Sequence, residues 1–357
     1  MPLLRDGRRC CQADDTCADN DCVNAFHGFD ESLGLGYDRQ ADDRQVPHSR
    51  IHVPDPVCFR SRPEVVVKVS RVFITGASGQ LGSSVADAFA DRDVIAHTSA
   101  TLDITDPDAV ARAVSAASPD VIINCAAFND VDGAESRPQE AFAVNAFAVR
   151  TLARAAEAAG ARLVHYSTDF VFDGTADSPY PETAPPRPRS VYASSKVVGE
   201  WFALDATHAF VLRVESLFGT PRDWQGRRGT FDSIVSGLER GVAVRVFTDR
   251  VVSPGYTPDI AAATRFLLDS GAAAGLYHCV NSGSATWEQV AREVARGLGI
   301  QPILDLMTME QVQMRASRPR FCALSTDKIA AAGFPMPTWQ DAIARWLASR
   351  NAVSQSN

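Results

Sequence analysis

The stretch "RVFITGASGQLG", residues 71–82, constrains the fold more than any other part of the chain. A short apolar, β-branched run ends in Gly76, Gly79 and Gly82, spaced Gly-x-x-Gly-x-x-Gly, and a helical pattern follows from Ser83 to about Asp91. Gly76 permits the tight turn, Gly79 lets backbone approach a pyrophosphate, and Gly82 lets the helix pack close on the strand. The helix start then offers N–H groups and partial positive charge to phosphates. An ordinary glycine turn shares the pattern, but at the first strand-to-helix crossover it predicts a dinucleotide site. The next strand, "DVIAH" (93–97), ends in "HTSAT" with neither an acid nor an arginine, so NADPH and NADH both stay open.

The rest of the chain agrees with that start. "PDAVARAVSAASP" reads as helix, "DVIINCAA" (120–127) as strand, residues 139–160 as one long helix ending on Gly160, and "RLVHYS" (162–167) as strand. Apolar strands alternating with helices predict βαβ units and a parallel sheet covered on both faces. The expected fold class is α/β: a Rossmann-like, doubly wound parallel sheet with a smaller, partly interleaved α/β substrate domain. Beyond residue 215 come the Gly-rich loop "GTPRDWQGRRGTF", helices near 230–240, 258–270, 286–297 and 338–349, and short strands "VRVF" and "GLYHCV". Residues 67–215 with about 242–268 are assigned to the dinucleotide-binding domain. Residues 216–241 with 269–350 are assigned to the substrate domain, and 351–357 to a tail.

Residues 1–66 read differently, with 12 acidic residues, no lysine and four prolines between Pro47 and Pro63. A disordered extension is expected there, and a native start near "VVVKVSRVFITG" is the alternative. Five of the eight cysteines (Cys10, Cys11, Cys17, Cys22 and Cys58) fall in this stretch without a Cys-x-x-Cys pair, so no metal site is expected. Cys125, Cys279 and Cys322 read as small buried apolar residues. The net charge of −8 and lack of a basic run exclude nucleic acid as a partner. No run reaches membrane-spanning length and no signal peptide is read, so a cytoplasmic protein is expected.

"SVYASSK" (190–196) places Tyr192 and Lys196 four apart in a chain with three lysines. On a helix they share a face one turn apart. An ammonium about 5 Å from a phenolate, at an effective dielectric near 20, is worth roughly 3 kcal/mol, or about two pKa units. That would poise a phenol as general acid toward a carbonyl receiving hydride. A surface tyrosine beside a solvated lysine is the ordinary alternative. "HYSTDFVFDG" (165–174) shifts the balance, because Ser167 and Thr168 sit where a strand should end beside the glycine crevice. Asp169 is either an acceptor for a substrate hydroxyl or a cap.

Together these stretches resemble the extended short-chain dehydrogenase/reductase family and, within it, the dTDP-4-dehydrorhamnose reductases. The matching segments are "ITGASGQLG" (74–82), "LDITD" (102–106), "PDVIINCAAFNDVDGAE" (119–135), "YSTDFVFDGT" (166–175), "PYPETAPPRPRSVYASSKVVGE" (179–200) and "GLYHCVNSGSATW" (275–287). The resemblance implies Thr168, Tyr192 and Lys196 as catalytic triad, with Tyr192 protonating the sugar C4 oxygen and Lys196 lowering the tyrosine pKa and holding the nicotinamide ribose. It implies cofactor contacts from Gly76, Ser78, Gly79, Gln80, Leu81, Gly82, Asp103, Ile104, Ala126 and Ala127, and hexose contacts from Thr168, Asp169 and Ser216. The implied partner is a nucleotide sugar. Oligomeric state is left open, a homodimer included.

Three segments depart from the resembled pattern. "VESLFG" (214–219) stands for "TSWVYG", so Ser216 replaces a tryptophan, "RPRFCAL" (318–324) stands for "RPxNSxL", and "DRVVSPG" (249–255) stands for "DQxGxPT". Trp224 is a candidate to fill the space at Ser216. The expected function is reduction of the C4 keto group of a nucleotide-linked 4-keto-6-deoxyhexose, dTDP-4-dehydro-L-rhamnose first. The alternatives are another sugar-nucleotide reductase, or a non-catalytic NADP-binding subunit resembling the regulatory subunit of methionine adenosyltransferase.

Overall fold

The apolar runs form strands because each can be buried on both faces, and the helices between them supply the cover. The computed structural model describes residues 69–219 and 229–354. The expectations for Trp224, for the five early cysteines and for the N-terminal extension lie outside those residues. Strands β1 (Arg71–Thr75), β2 (Asp93–His97), β3 (Val121–Asn124), β4 (Arg162–Thr168), β5 (Ala209–Val214) and, much later, β10 (Gly275–His278) build one six-stranded sheet. Its order is β2-β1-β3-β4-β5-β10, and every neighbouring pair is parallel. One face is covered by α1 (Gln80–Ala88) and α8 (Thr257–Asp269), through a cluster that includes Ile74, Val85, Ile123 and Leu267. The other face is covered by α2 (Pro107–Ala117) and α5 (Ala148–Ala159), through Phe73, Val114, Ile122 and Leu152.

Residues 139–160 are not one helix. After α3 (Val131–Ala134) come α4 (Pro138–Phe142), a π-helical turn Ala143–Phe147, and then α5. The wide turn faces inward at Asn145, which is 1% exposed. Its side chain accepts from Phe128 N (2.9 Å), donates to Phe128 O (3.0 Å) and donates to Ser195 Oγ (3.0 Å). A π-helical turn often marks a functional region, and this one ties the chain after β3 to α6 (Val191–Leu204). Gly199 makes the close crossing possible, since a Cβ there would stand 2.1 Å from Asn145 O.

Strand β5 has no counterpart in the sequence reading, because Arg213 interrupts its apolar run. That arginine is buried all the same. It donates to both oxygens of Glu200 on α6 (Nε–Oε1 2.8 Å, Nη2–Oε2 2.7 Å) and lies over the Phe172 ring at 4.9 Å.

Beyond the sheet, β6 (Leu217–Phe218) pairs with β9 (Gly255–Tyr256), and β8 (Val251–Val252) pairs with β11 (Ala285–Thr286). Strand β7 (Val244–Phe247), expected in the nucleotide-binding part, instead pairs with β12 (Leu304–Met307). Strand β10, expected in the other part, closes the main sheet. Helices α7 (Thr230–Glu239), α9 (Trp287–Leu298) and α11 (Trp339–Ser354) pack around Phe218, Phe231, Val246, Val290 and Trp346. The short α10 (Asp327–Ala331) lies against the sheet through Ile329.

The Arg213–Glu200 pair sets a stability test. Arg213→Ala leaves a buried carboxylate uncompensated and should cost about 3–5 kcal/mol in urea unfolding. Arg213→Met combined with Glu200→Leu should recover part of that loss, since the uncompensated carboxylate is gone while Lys196 loses the opposing charge of Glu200.

Candidate active site

The sheet order reverses between β1 and β3, so a crevice opens above their carboxyl ends. Gly76 follows β1 with φ +67°, and a Cβ there would stand 2.6 Å from Ala126 N, just beyond β3. Gly82 lies so close to the same turn that its Cβ would meet Gly76 O at 2.2 Å. Gly79 is the least crowded of the three, the nearest atom to an added methyl being Gly76 O at a tight 3.2 Å. Gly79 is also the N-cap of α1, whose amino end carries no side-chain cap. A cradle of backbone at an uncapped helix start is what a pyrophosphate requires, so these residues fit a dinucleotide.

The other expected cofactor residues divide by what their side chains do. Leu81 is buried in the sheet-face cluster, and Gln80 donates its amide to Gly219 O at 2.7 Å, so both reach the crevice through backbone. Ser78 lies in the turn between Gly76 and α1. Asp103 turns back to accept from Thr105 N and Oγ1 (2.9 and 2.7 Å), and Ile104 is buried against the Phe73 face. Ala126 N donates to Asn124 Oδ1 (3.1 Å), and Ala127 follows it, exposed.

Thr168 is the last residue of β4, two strands along from β1, and Tyr192 stands in the first turn of α6. Ser190 starts that helix by accepting from Ala193 N at 3.2 Å. One turn on, Lys196 is 2% exposed and donates from Nζ to Tyr166 O on β4 at 2.6 Å. Burial lowers the lysine to about 8, with Glu200 opposing. His165, also buried, meets Asn124 Nδ2 at 3.1 Å and is held well below its usual pKa by burial and by Lys196.

Lys196, expected to lower the Tyr192 pKa, is not among the groups acting on the phenol in this geometry. Burial and then the Asp169 charge push the phenol up, and the group pulling it back is the Thr168 hydroxyl. The ammonium is engaged with the Tyr166 carbonyl instead. Tyr192 is therefore a neutral phenol across the working pH range, in the form that donates a proton. Phe170 holds it edge-on at 5.7 Å between centroids.

Sequence reasoning missed what surrounds Asp169. Thr168 Oγ1 donates to Asp169 Oδ1 at 2.9 Å, and Glu215, Arg250 and Cys322 close around the same carboxylate. Burial raises Asp169 to about 6 against the pull of Arg250 and Thr168. Glu215 accepts from Ser253 N at 2.7 Å and is pushed well above the carboxylate range by burial and by Asp169. Cys322 is thus not a simple apolar filler. Ser216, at the expected tryptophan position, takes φ +44°, a left-handed conformation that side chains seldom adopt. A separate cavity of about 720 Å³ opens at the amino ends of the strands, beside Asp120, Arg162 and His208, and none of the candidate residues line it.

Residues 70–351 match the model of the RmlD substrate binding domain family. The dTDP-4-dehydrorhamnose reductase of Mycobacterium tuberculosis is 40% identical over 291 residues, 78% of this chain and 93% of that protein. A probable dTDP-4,6-dihydroxy-2-methyloxan-3-one 4-ketoreductase of Streptomyces antibioticus is 36% identical over 279 residues, 76% of this chain and 93% of that one. Among solved structures, dTDP-4-dehydrorhamnose reductase from Bacillus anthracis in complex with NADP superposes with a TM-score of 0.74 at 29% identity, covering 79% of this chain and all of that one.

Two measurements test the site's geometry. Gly79→Ala, whose Cβ meets Gly76 O at 3.2 Å and requires only a small shift, should keep the fold while weakening NADPH binding at least tenfold in a fluorescence titration by narrowing the phosphate path. The second concerns Asp169, whose folded pKa of about 6 lies above the ordinary 3.8. Its protonated form favours the fold, so its contribution is full below about pH 4 and is lost as pH rises through 6. Asp169→Asn should therefore match the parent near pH 4 and exceed it by roughly 2–3 kcal/mol at pH 7.5 in urea unfolding.

Proposed function

The chain belongs to the RmlD substrate binding domain family, and on that premise we propose that it is an NAD(P)H-dependent reductase. Its substrate is a nucleotide-linked 4-keto-6-deoxyhexose, dTDP-4-dehydro-L-rhamnose first, reduced at C4. The observation that carries this reading is the convergence of Thr168 and Tyr192 at the carboxyl end of β4, with Lys196 buried behind them.

When bound, the nicotinamide supplies a hydride to the sugar C4. Tyr192 donates its phenolic proton to the oxygen as negative charge develops there. Thr168 positions the phenol and the substrate oxygen from one hydroxyl. Lys196, anchored to Tyr166 O, holds α6 against β4 and presents positive charge at the ribose. Asp169 and Ser216 border the sugar. The backbone at Gly76, Ser78, Gly79, Gln80, Leu81, Gly82, Ala126 and Ala127 holds the dinucleotide, with Asp103 and Ile104 toward the adenine.

On the same reading the six-stranded sheet is the nucleotide-binding half, and the region around Phe218, Phe231 and Trp346 is the sugar-binding half. The partner is a nucleotide sugar and the compartment the cytoplasm. No helix among the described residues is long and apolar enough to cross a membrane.

A second substrate within the same reaction class is favoured by one observation: Ser216 stands where the resembled pattern has tryptophan. The assay is NADPH oxidation with dTDP-4-dehydro-L-rhamnose and a panel of other nucleotide 4-keto sugars. Turnover of one of them is expected, and turnover of none alongside tight NADPH binding would sink the reading. Tyr192→Phe should cut kcat by about 10²–10⁴ with little change in NADPH affinity, the usual worth of a general acid.

A further inference from the structure

The three segments in which this chain departs from the pattern it resembles are distant in sequence, yet their changed side chains meet at Asp169. Glu215, Arg250 and Cys322 are buried there with it. Ligand atoms of Asp169, Glu215 and Cys322 all lie within 4.8 Å of one another. The Arg250 guanidinium acts on both carboxylates and lies 5.4 Å over the Phe170 ring, the ring that braces Tyr192. That guanidinium already supplies the cation such a cluster needs, so its chemistry is that of protons rather than of a metal.

The groups are not fully satisfied. Asp169 Oδ2, Glu215 Oε1 and Arg250 Nε are buried without a hydrogen-bond partner among the described residues. Two carboxyl groups this close in low dielectric, with one guanidinium acting on both, resist ionising together. The groups facing Asp169 are Arg250, Thr168, Cys322, Glu215 and Tyr192, and those facing Glu215 are Asp169, Arg250, Cys322 and the Ser253 N–H. Only one hydroxyl separates the pair from the proton donor. Thr168 Oγ1 donates to Asp169 Oδ1 at 2.9 Å, and the same hydroxyl acts on the Tyr192 phenol, drawing its pKa down.

We propose that Asp169 and Glu215, with Arg250 as their counter-charge, form a buried proton store that refills Tyr192 through Thr168 after each reduction. The inference rests on the reductase reading above. Once Tyr192 has given its proton to the substrate oxygen, the phenolate takes the Thr168 hydroxyl proton. Thr168 takes a proton in turn from a carboxylic acid of the pair, whose O–H bond breaks. The carboxylate left behind faces Arg250 and regains a proton from water as product leaves. No electrons move in the relay, and the proton count closes over the cycle. Glu215 touches neither substrate nor cofactor in this scheme and acts as a positioning residue that keeps the store charged.

The test separates the first turnover, which uses the proton already on Tyr192, from those that follow. In Glu215→Gln, rapid-mixing NADPH oxidation should keep its first-turnover rate within about twofold, while steady-state kcat falls about tenfold or more. KM should hold, and the pH dependence of kcat should shift. Glu215→Asp should restore much of the loss. On the parent protein, kcat in mixed H₂O/D₂O should vary along a curve, as more than one proton in flight requires. A Glu215→Gln enzyme with parental kcat and pH profile would overturn the proposal, as would one whose first turnover falls as far as its steady state. Should that variant not fold, a linear isotope dependence in the parent overturns it as well. Absence of turnover by the parent on every sugar would defeat the reductase reading and this inference together. Parental turnover with an unaltered variant would defeat the inference alone.

Discussion

The site depends on the approach of two backbones at the carboxyl ends of β1 and β3. Gly76 and Ala126 come closer than any side chain at residue 76 would allow. That contact holds the first turn beneath the start of α1, and Gly82 then brings the helix down onto it. The crevice exists because the sheet runs outward in both directions from this point. Thr168 stands two strands along and beyond that level, because β4 runs three residues past His165, the partner of Asn124 at the end of β3.

The proton-handling half is held by buried charge rather than by apolar packing alone. Helix α6 has a weak apolar bias and carries two ionic residues, Lys196 and Glu200, that are each 2% exposed. Both are compensated by the sheet. The ammonium meets a carbonyl of β4, and the carboxylate meets Arg213 of β5 through two hydrogen bonds. Buried charges of this kind tolerate little displacement, since losing a partner costs far more than the pair contributes. They therefore fix the rotation of α6, and with it the direction in which Tyr192 points. The π-helical turn at Asn145 secures the same helix from its other side through Ser195.

Much of this was legible in the residues. The glycine spacing, the strand runs at 71–75, 93–97 and 162–168, and the Tyr192–Lys196 pair all report local geometry, which periodicity and turn chemistry encode directly. What was not legible depends on partners far away in sequence. Strand β5 was hidden by Arg213, whose polarity is cancelled only once Glu200 lies beside it. The break at Asn145 was hidden because alanine-rich sequence suits a straight helix, and only the Phe128 backbone demands the wider turn. Strands β7 and β10 exchanged places for a similar reason, since short apolar runs do not specify which sheet will take them. The helical spacing of Tyr192 and Lys196 gave their separation but not the direction in which the ammonium donates, which is to Tyr166 O.

The region around Asp169 shows why substrate-side departures are best weighed together. Taken singly, a glutamate at 215, an arginine at 250 and a cysteine at 322 would each be a costly burial of a polar group. Placed around one aspartate, they offset one another: Arg250 neutralises part of the carboxylate charge, and the Ser253 N–H satisfies one oxygen of Glu215. The strained backbone at Ser216 follows directly after that glutamate, so the turn that seats Glu215 also sets the wall a sugar would meet. Changing any one member alters the charge balance of the others. The unit of specificity on this side of the site is accordingly the cluster, and the cofactor crevice, built from backbone at Gly76 and Ala126, is insulated from its changes.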